Sequence, residues 1–314
     1  MRIESLDRLT PDAESLLRAR ALERASEVET SLQQLRRAFE AGKLAGACLY
    51  EDQQARALAI WRWNDSHQTY AQVLVLYIPP AASDEWGEQV VDHVFATLIQ
   101  TPTLAVIEAR LRDQSPGVRD AYTRRGMAFF ERCRMVRPLR LTPIPVLPVP
   151  DKFRLIPWDD SHQAQIEAIA STAYQGSIDA VVVPDTQPQR IVKSLRRLRS
   201  AQWPGVDAWN TDASQVILNK QDQVVAYIAA ATSGESALIG DLAVHPDYRR
   251  RRLARLLMVR AMVACFRQGL ASVSLAVTTR SPMRPLCNQL GFQPTDCGEI
   301  ALWWKDGRQS AWRE

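Results

Sequence analysis

Residues 241–258, Asp-Leu-Ala-Val-His-Pro-Asp-Tyr-Arg-Arg-Arg-Arg-Leu-Ala-Arg-Leu-Leu-Met, constrain this chain more than any other stretch. They read as a short apolar strand, a turn at His245-Pro246-Asp247, and four arginines opening an apolar-periodic helix. The first turn of a helix has backbone N–H groups without intrahelical partners and carries the positive end of the helix dipole. A strand feeding such a turn suits an anion, and arginine adds bidentate donors that match phosphate. A run of like charges is more often a solvated helix face, so its neighbours decide between the two readings.

Those neighbours resemble the core motif of the GCN5-related N-acetyltransferases, the GNAT superfamily. Its signature is an apolar strand, often ending in valine, proline and tyrosine, then Arg/Gln-x-x-Gly-x-Gly/Ala opening a helix. Leu242-Ala243-Val244-His245-Pro246-Asp247-Tyr248 matches the approach, and Arg249-Arg250-Arg251-Arg252-Leu253-Ala254 overlies the hexapeptide. The resemblance implies that this segment's backbone amides hold the pyrophosphate of acetyl-CoA. It also implies that the edge of strand 242–244 pairs with the pantetheine. Arg252 stands where the first glycine is expected, a position where glycine lets the backbone approach phosphate closely.

A length of 314 residues suits two domains. With 46% hydrophobic and 24% charged residues, the composition is that of a globular protein. No apolar run nears the ~18 residues that span a bilayer, and the start, Met-Arg-Ile-Glu-Ser-Leu-Asp-Arg, lacks the apolar core of a signal peptide. A net charge of +4 is too small to hold the whole protein on nucleic acid. The five cysteines, Cys48, Cys133, Cys265, Cys287 and Cys297, are an odd number without a Cys-x-x-Cys pair. That argues against a disulfide framework and a zinc site, and for a reducing, cytoplasmic setting. The four histidines are scattered singly, so no metal is expected.

Helical patterns fill 9–40, then strands alternate with helices: a hairpin at 47–61, strand 70–78, helix 85–99, strand 103–109 and helix 118–125. The proline-rich stretch 143–151 forbids helix and reads as an extended linker. A similar order follows: strand 153–158, helix 161–174, basic helix 189–199, a hairpin at 216–229, strand 237–244, helix 250–268, strand 273–278, helix 282–290 and strand 300–305. When Pro80 is laid on Pro246, Gly126 and Gly291 follow at 46 and 45 residues, and the hairpin starts, Leu49 and Ile217, precede by 31 and 29. The expected architecture is α/β, a twisted mixed sheet flanked by helices, present twice. The resemblance makes these tandem GNAT-like domains at 1–142 and 152–314, an arrangement similar to mycothiol synthase. In the first, Pro80 is followed by Asp84, Glu85 and Glu88 with no arginine, so like charge would repel a pyrophosphate there. That domain is expected to be a degenerate copy.

Acetyl transfer to an amine poses two proton problems. An alkylammonium with a pKa near ~10.4 must lose a proton before attack, and the departing thiolate needs one. Asp241 and Glu235, in or just before the strand flanking the acyl group, are candidate bases that could equally bind a cationic substrate or face solvent. The family's acidic tyrosine falls on Cys287 within Leu286-Cys-Asn-Gln-Leu-Gly-Phe292, a thiol that could donate weakly or be a small buried hydrophobe. The segments at 174–179 and 203–209, with Asp179, Asp207 and Asp212, fall where the family builds its substrate wall; packing of Trp203 and Trp209 into the core is the other reading.

The expected activity is an N-acetyltransferase that moves an acetyl group from acetyl-CoA to a small-molecule or peptide primary amine by direct attack in a ternary complex. A strand amide near Val244 would stabilise the oxyanion. One rival is a non-catalytic CoA sensor or interaction module. Another is a polyanion binder using the arginine run, which would bind in a strongly salt-dependent way without preference for CoA.

Overall fold

The computed structural model describes residues 1–23, 28–64, 66–79, 84–111, 116–141, 143–183, 186, 188–203 and 205–307. They form two units, Met1–Phe130 with Gly298–Glu314, and Glu131–Cys297.

The first unit contains β1 (Arg2–Leu6), α1 (Pro11–Glu23), α2 (Val28–Glu40), β2 (Leu44–Glu51), β3 (Gln54–Trp63), β4 (Tyr70–Tyr77), α3 (Asp84–Ile99), β5 (Val106–Leu111) and α4 (Pro116–Arg124). Its sheet runs β1-β2-β3-β4-β5 and is completed by the end of the chain, where residues 299–304 pair antiparallel with β5. Strand alternation sends residues to two faces. Val90, Val94, Phe95 and Leu98 of α3 cover one face; Leu16, Leu17, Leu32 and Phe39 of α1 and α2 cover the other.

The second unit takes β6 (Ala128–Pro138) from Glu131 onward, then β7 (Arg154–Pro157), α5 (Gln163–Ala173), α6 (Ile178–Val182), α7 (Pro188–Arg199), β8 (Ala208–Trp209), β9 (Gln215–Leu218), β10 (Val224–Ser233), β11 (Ser236–Val244), α8 (Leu253–Arg267), β12 (Ser272–Thr278) and α9 (Met283–Gln289). Its sheet order is β6-β12-β11-β10-β9-β7, with β8 also on β10. α8 buries Leu253, Leu256, Leu257 and Met262 on one face, and α5 and α7 bury Ile166, Ile169, Leu195 and Leu198 on the other.

β1, β6 and β8 are not among the strands expected from the sequence, and the final strand differs in extent. β6, whose burial alternates, adds antiparallel to β12, with Cys133 opposite Val277. The final strand, β13, starts at Gln293 rather than 300 and crosses from the second unit to the first. The units therefore interleave in sequence instead of dividing at 143–151. Nor is that segment a free connector. Ile144, Leu147 and Val149 pack on the core beneath α8, and the carbonyls of Pro143 and Leu147 accept from Arg137 (3.0 Å) and Arg260 (3.2 Å). Thr142, at the expected edge of the first domain, lies outside the described residues, as does 80–83.

The cysteine reading is corrected. Cys133 and Cys297 form a disulfide across 164 residues of sequence, and Cys48, Cys265 and Cys287 are free and buried. An odd count excludes full pairing but not a single bridge between strands distant in sequence. No helix among the described residues is long and apolar enough to cross a membrane.

Candidate active site

β11 and β12 pair in parallel over three positions, 236–238 with 272–274, and β11 then continues to Val244 without that partner. Its other edge stays on β10, where the His245 N–H donates to the Val225 carbonyl at 2.9 Å. Strand alternation then turns the N–H and C=O of Val244 and Leu242 to the open edge. The sequence-predicted cofactor strand thus presents main-chain groups on that side.

A bulge sets which side chains line each face. The β10 register jumps from Ala229 opposite Asp241 to Ala230 opposite Ile239, leaving Gly240 as the extra residue. Ile239, Leu242 and Val244 face the α8 core, whereas Leu238 and Ala243 face the α5 and α7 side. Asp241 points to this second side. A side chain at 240 would force its surroundings to shift, because a Cβ there would lie 2.4 Å from Cδ2 of buried Leu198.

Asp241 is 8% exposed, and each carboxylate oxygen accepts from a tyrosine, Oδ1 from Tyr174 and Oδ2 from Tyr227. Tyr227 is fully buried on β10; Tyr174, the residue that ends α5, is half-buried and also lies 3.3 Å from the Leu242 carbonyl oxygen. Burial raises the Asp241 carboxyl above the usual range, against the lowering effect of the tyrosine hydrogen bonds and the Leu242 N–H. Burial and the Asp241 charge push both phenols well above their ordinary value. Nearby, Asp179 on α6 accepts from Ser281 at 2.6 Å and lies 3.7 Å from Arg132 of β6.

Beyond Val244, His245 caps a single turn of 3-10 helix, Pro246–Tyr248, and the arginine run follows. Helix α8 starts at Leu253, not 250, because Arg250 (φ 62°) and Arg252 (φ 63°) are left-handed. Arg252 therefore adopts the backbone shape for which the motif uses glycine, at a cost of about 1 kcal/mol. The Leu256 N–H makes the bond to Arg252 O at 3.0 Å, so the amides of Leu253, Ala254 and Arg255 precede the helix ladder. The side chains divide. Arg249 donates to the Ala173 carbonyl at the end of α5 (2.5 Å), Arg251 to Asp247 O (3.2 Å) while lying over the Tyr248 ring, and Arg255 to Gln289 (3.1 Å). Arg250 and Arg252 are exposed, and among the described residues no ion pair or hydrogen bond engages their guanidinium groups.

The other sequence-predicted residues lie apart. Glu235 is exposed in the β10–β11 turn, beyond the paired end of β11, six residues before Asp241. Cys287 is fully buried in the core beneath α8, where burial pushes its thiol up to about 11, so it presents no proton donor to the open edge. Trp203 and Trp209 are half-buried against the core, Trp209 edge-on to Trp158 at 5.3 Å; Asp207 accepts from the Gly234 N–H (2.6 Å) and Asp212 from Gln268 (2.9 Å). Of the expected acceptor wall, only 174–179 adjoins Asp241. Glu131, Cys133 and Cys297 bring possible metal-ligand atoms within 4.8 Å of one another, but the two sulfurs are bonded together. In the first unit Glu88 pairs with Arg124 at 2.9 Å and Tyr122 is buried in the core.

Residues 187–292 match the Acetyltransferase (GNAT) family. A comparison with curated proteins found no sequence match. Among solved structures, a GCN5-related N-acetyltransferase from Sphaerobacter thermophilus superposes with a TM-score of 0.66 at 14% identity, over 96% of this chain and 95% of that one. A tandem GNAT protein from the clavulanic acid biosynthesis pathway gives 0.57 at 14% identity, over 96% and 98%. A GCN5-related glucosamine N-acetyltransferase region of a fungal multi-domain β-N-acetylglucosaminidase gives 0.63 at 10% identity, over 96% of this chain and 38% of that one. The chain has the fold of tandem GNAT proteins, and residues 187–292 of its second unit match the GNAT acetyltransferase family.

Proposed function

We propose that the second unit transfers an acetyl group from acetyl-CoA to a primary amine, by direct attack of the amine on the thioester in a ternary complex. The observation that carries this reading is the open edge of β11 at Leu242 and Val244, leading through one turn into the amino-terminus of α8. The donor set fits a CoA thioester. Leu242, Ala243 and Val244 would carry the pantetheine along the strand. The amides of Leu253 and Ala254, with the unengaged Arg250 and Arg252, would meet the phosphates, while Arg249 and Arg251 brace the turn. The Val244 N–H, on the open edge, would donate to the oxyanion. Acetyl-CoA supplies the activated acyl carbon; Asp241 accepts the proton that the ammonium form of the amine must lose. Glu235 and Cys287 are left without a step. The first unit, with Asp84, Glu85 and Glu88 where the second has arginines, would keep the fold without binding the cofactor.

Calorimetric titration with acetyl-CoA and with desulfo-CoA tests the binding half. Both ligands are expected to bind the native chain, and changing Arg250 and Arg252 together to glutamate is expected to weaken both at least ~10-fold. Absence of binding at millimolar ligand would contradict the proposal.

A further inference from the structure

Both oxygens of Asp241 are occupied by tyrosine hydroxyls, and the residue is 8% exposed. An acceptor amine therefore meets no free face of this group. Tyr227 is fully buried, so no route to Asp241 leads through it. Tyr174 differs. Its hydroxyl touches Asp241 and also lies 3.3 Å from the Leu242 carbonyl oxygen, a group that strand alternation turns to the open edge of β11. An O–H carries a single hydrogen, and here it is directed to the Asp241 carboxylate, which leaves the oxygen lone pairs of Tyr174 as acceptors toward the edge.

We propose that Tyr174 is a catalytic residue: its oxygen takes a proton from the acceptor ammonium as its own hydrogen passes to Asp241. This rests on the acetyltransferase reading above. In the step, an N–H bond of the ammonium breaks and an O–H bond forms at Tyr174, while the former Tyr174 O–H bond breaks and one forms at Oδ1 of Asp241. No net charge remains on the phenol, and the amine is left neutral with its lone pair free. That lone pair forms the C–N bond to the thioester carbon. The C–S bond then breaks, and the second amine proton goes to the leaving thiolate. Asp241 returns its proton through Tyr174 to solvent when the product leaves. Tyr227 holds the other carboxylate oxygen and is a positioning residue. The charged and titratable groups around this relay are Asp179 of α6, which raises both Asp241 and Tyr174, and Arg132 of β6, which lowers Tyr174. The relay makes the preferred acceptor an aliphatic amine, protonated at neutral pH, and gives it no advantage with an arylamine that is already neutral.

Tyr174→Phe keeps the ring and removes the relay oxygen. Initial rates with acetyl-CoA and spermidine, a lysine amide or glucosamine would be followed from about pH 6 to about pH 10, spanning amine deprotonation. The expected result is a kcat lower by ~100-fold near neutral pH, of the size of a lost acid–base group, recovering toward the native rate as pH rises. Acetyl-CoA binding by calorimetry should be unchanged, and an arylamine acceptor should show no defect. Tyr227→Phe, with the relay oxygen intact, should shift the acid limb of the profile and leave its alkaline rate unaltered. A native chain that turns over aliphatic amines while Tyr174→Phe matches it at every pH would overturn the relay. So would a Tyr174→Phe defect equal at all pH values, since that marks packing alone. If the native chain acetylates none of these amines, the acetyltransferase reading falls and the relay falls with it.

Discussion

Tyr174, at the end of α5, gives its hydroxyl hydrogen to Asp241 on β11, 67 residues away in sequence. With Tyr227 on the other oxygen, this encloses a carboxylate whose hydrogen bonds do not offset its desolvation. Because burial raises the folded-state pKa above its unfolded value, the folded chain binds this proton more tightly than the unfolded one. The contribution to stability is present in full at low pH and is lost as pH rises through the folded value. Asp241→Asn, which carries no charge, is therefore expected to gain in melting temperature relative to the native chain at pH 8 compared with pH 4. Its acetyltransferase rate should fall at least ~100-fold. Parallel melting curves at the two pH values check the first statement and initial rates the second.

Arg252 holds a left-handed backbone at the start of α8. Arg252→Gly should relieve about 1 kcal/mol of backbone cost and raise the denaturant midpoint, whereas Arg252→Ala keeps a Cβ and should not. If the guanidinium meets a phosphate, both variants lose that contact, and acetyl-CoA affinity should become less sensitive to salt in each. Chemical denaturation and titrations at two ionic strengths measure these effects separately.

Gly240→Ala places a methyl 2.4 Å from Leu198 Cδ2 and 3.1 Å from its Cδ1. The expected loss is about 1–3 kcal/mol, the range for forcing an extra carbon into a packed core. The change should also displace the neighbouring Asp241. Adding Leu198→Ala to the variant should recover part of the stability lost through the clash, giving a non-additive double-mutant cycle in denaturant melts.

Cysteine chemistry offers a count. With one disulfide and three buried thiols, alkylation followed by mass measurement should label three residues in the unfolded, unreduced chain and five after reduction. Reduction should lower stability by about 2–4 kcal/mol, as for bridges that close long loops. Cys287→Ala should leave kcat unchanged, as expected of a thiol enclosed in the core.

Local pattern made part of this legible. The apolar strand, the turn at His245-Pro246 and the periodic helix after it are short-range features, and β11 and α8 are where those features put them. The near-equal spacings of Pro80 and Pro246 from their closing glycines, 46 and 45 residues, marked the two similar halves. What was not legible depends on distant partners. β6 alternates like any half-buried strand, and nothing within residues 128–138 says that it will pair with β12, some 140 residues later. The Cys133–Cys297 bridge follows from the two strands that cross between the units. Tyr174 was visible as an aromatic where the resemblance puts the substrate wall, but its hydrogen bond is to a residue 67 positions away, on β11. Alternation alone gave Asp241 the same face as Ala243. It did not give the two tyrosines waiting there.

Hydrogen exchange with and without acetyl-CoA tests the central claim most directly, because it reports which backbone amides the ligand covers. The expected result is added protection at residues 242–244 and 253–255, with residues 84–99 of the first unit unchanged. Protection at 84–99 instead, or none at 242–255 under saturating acetyl-CoA, would contradict a cofactor site in the second unit.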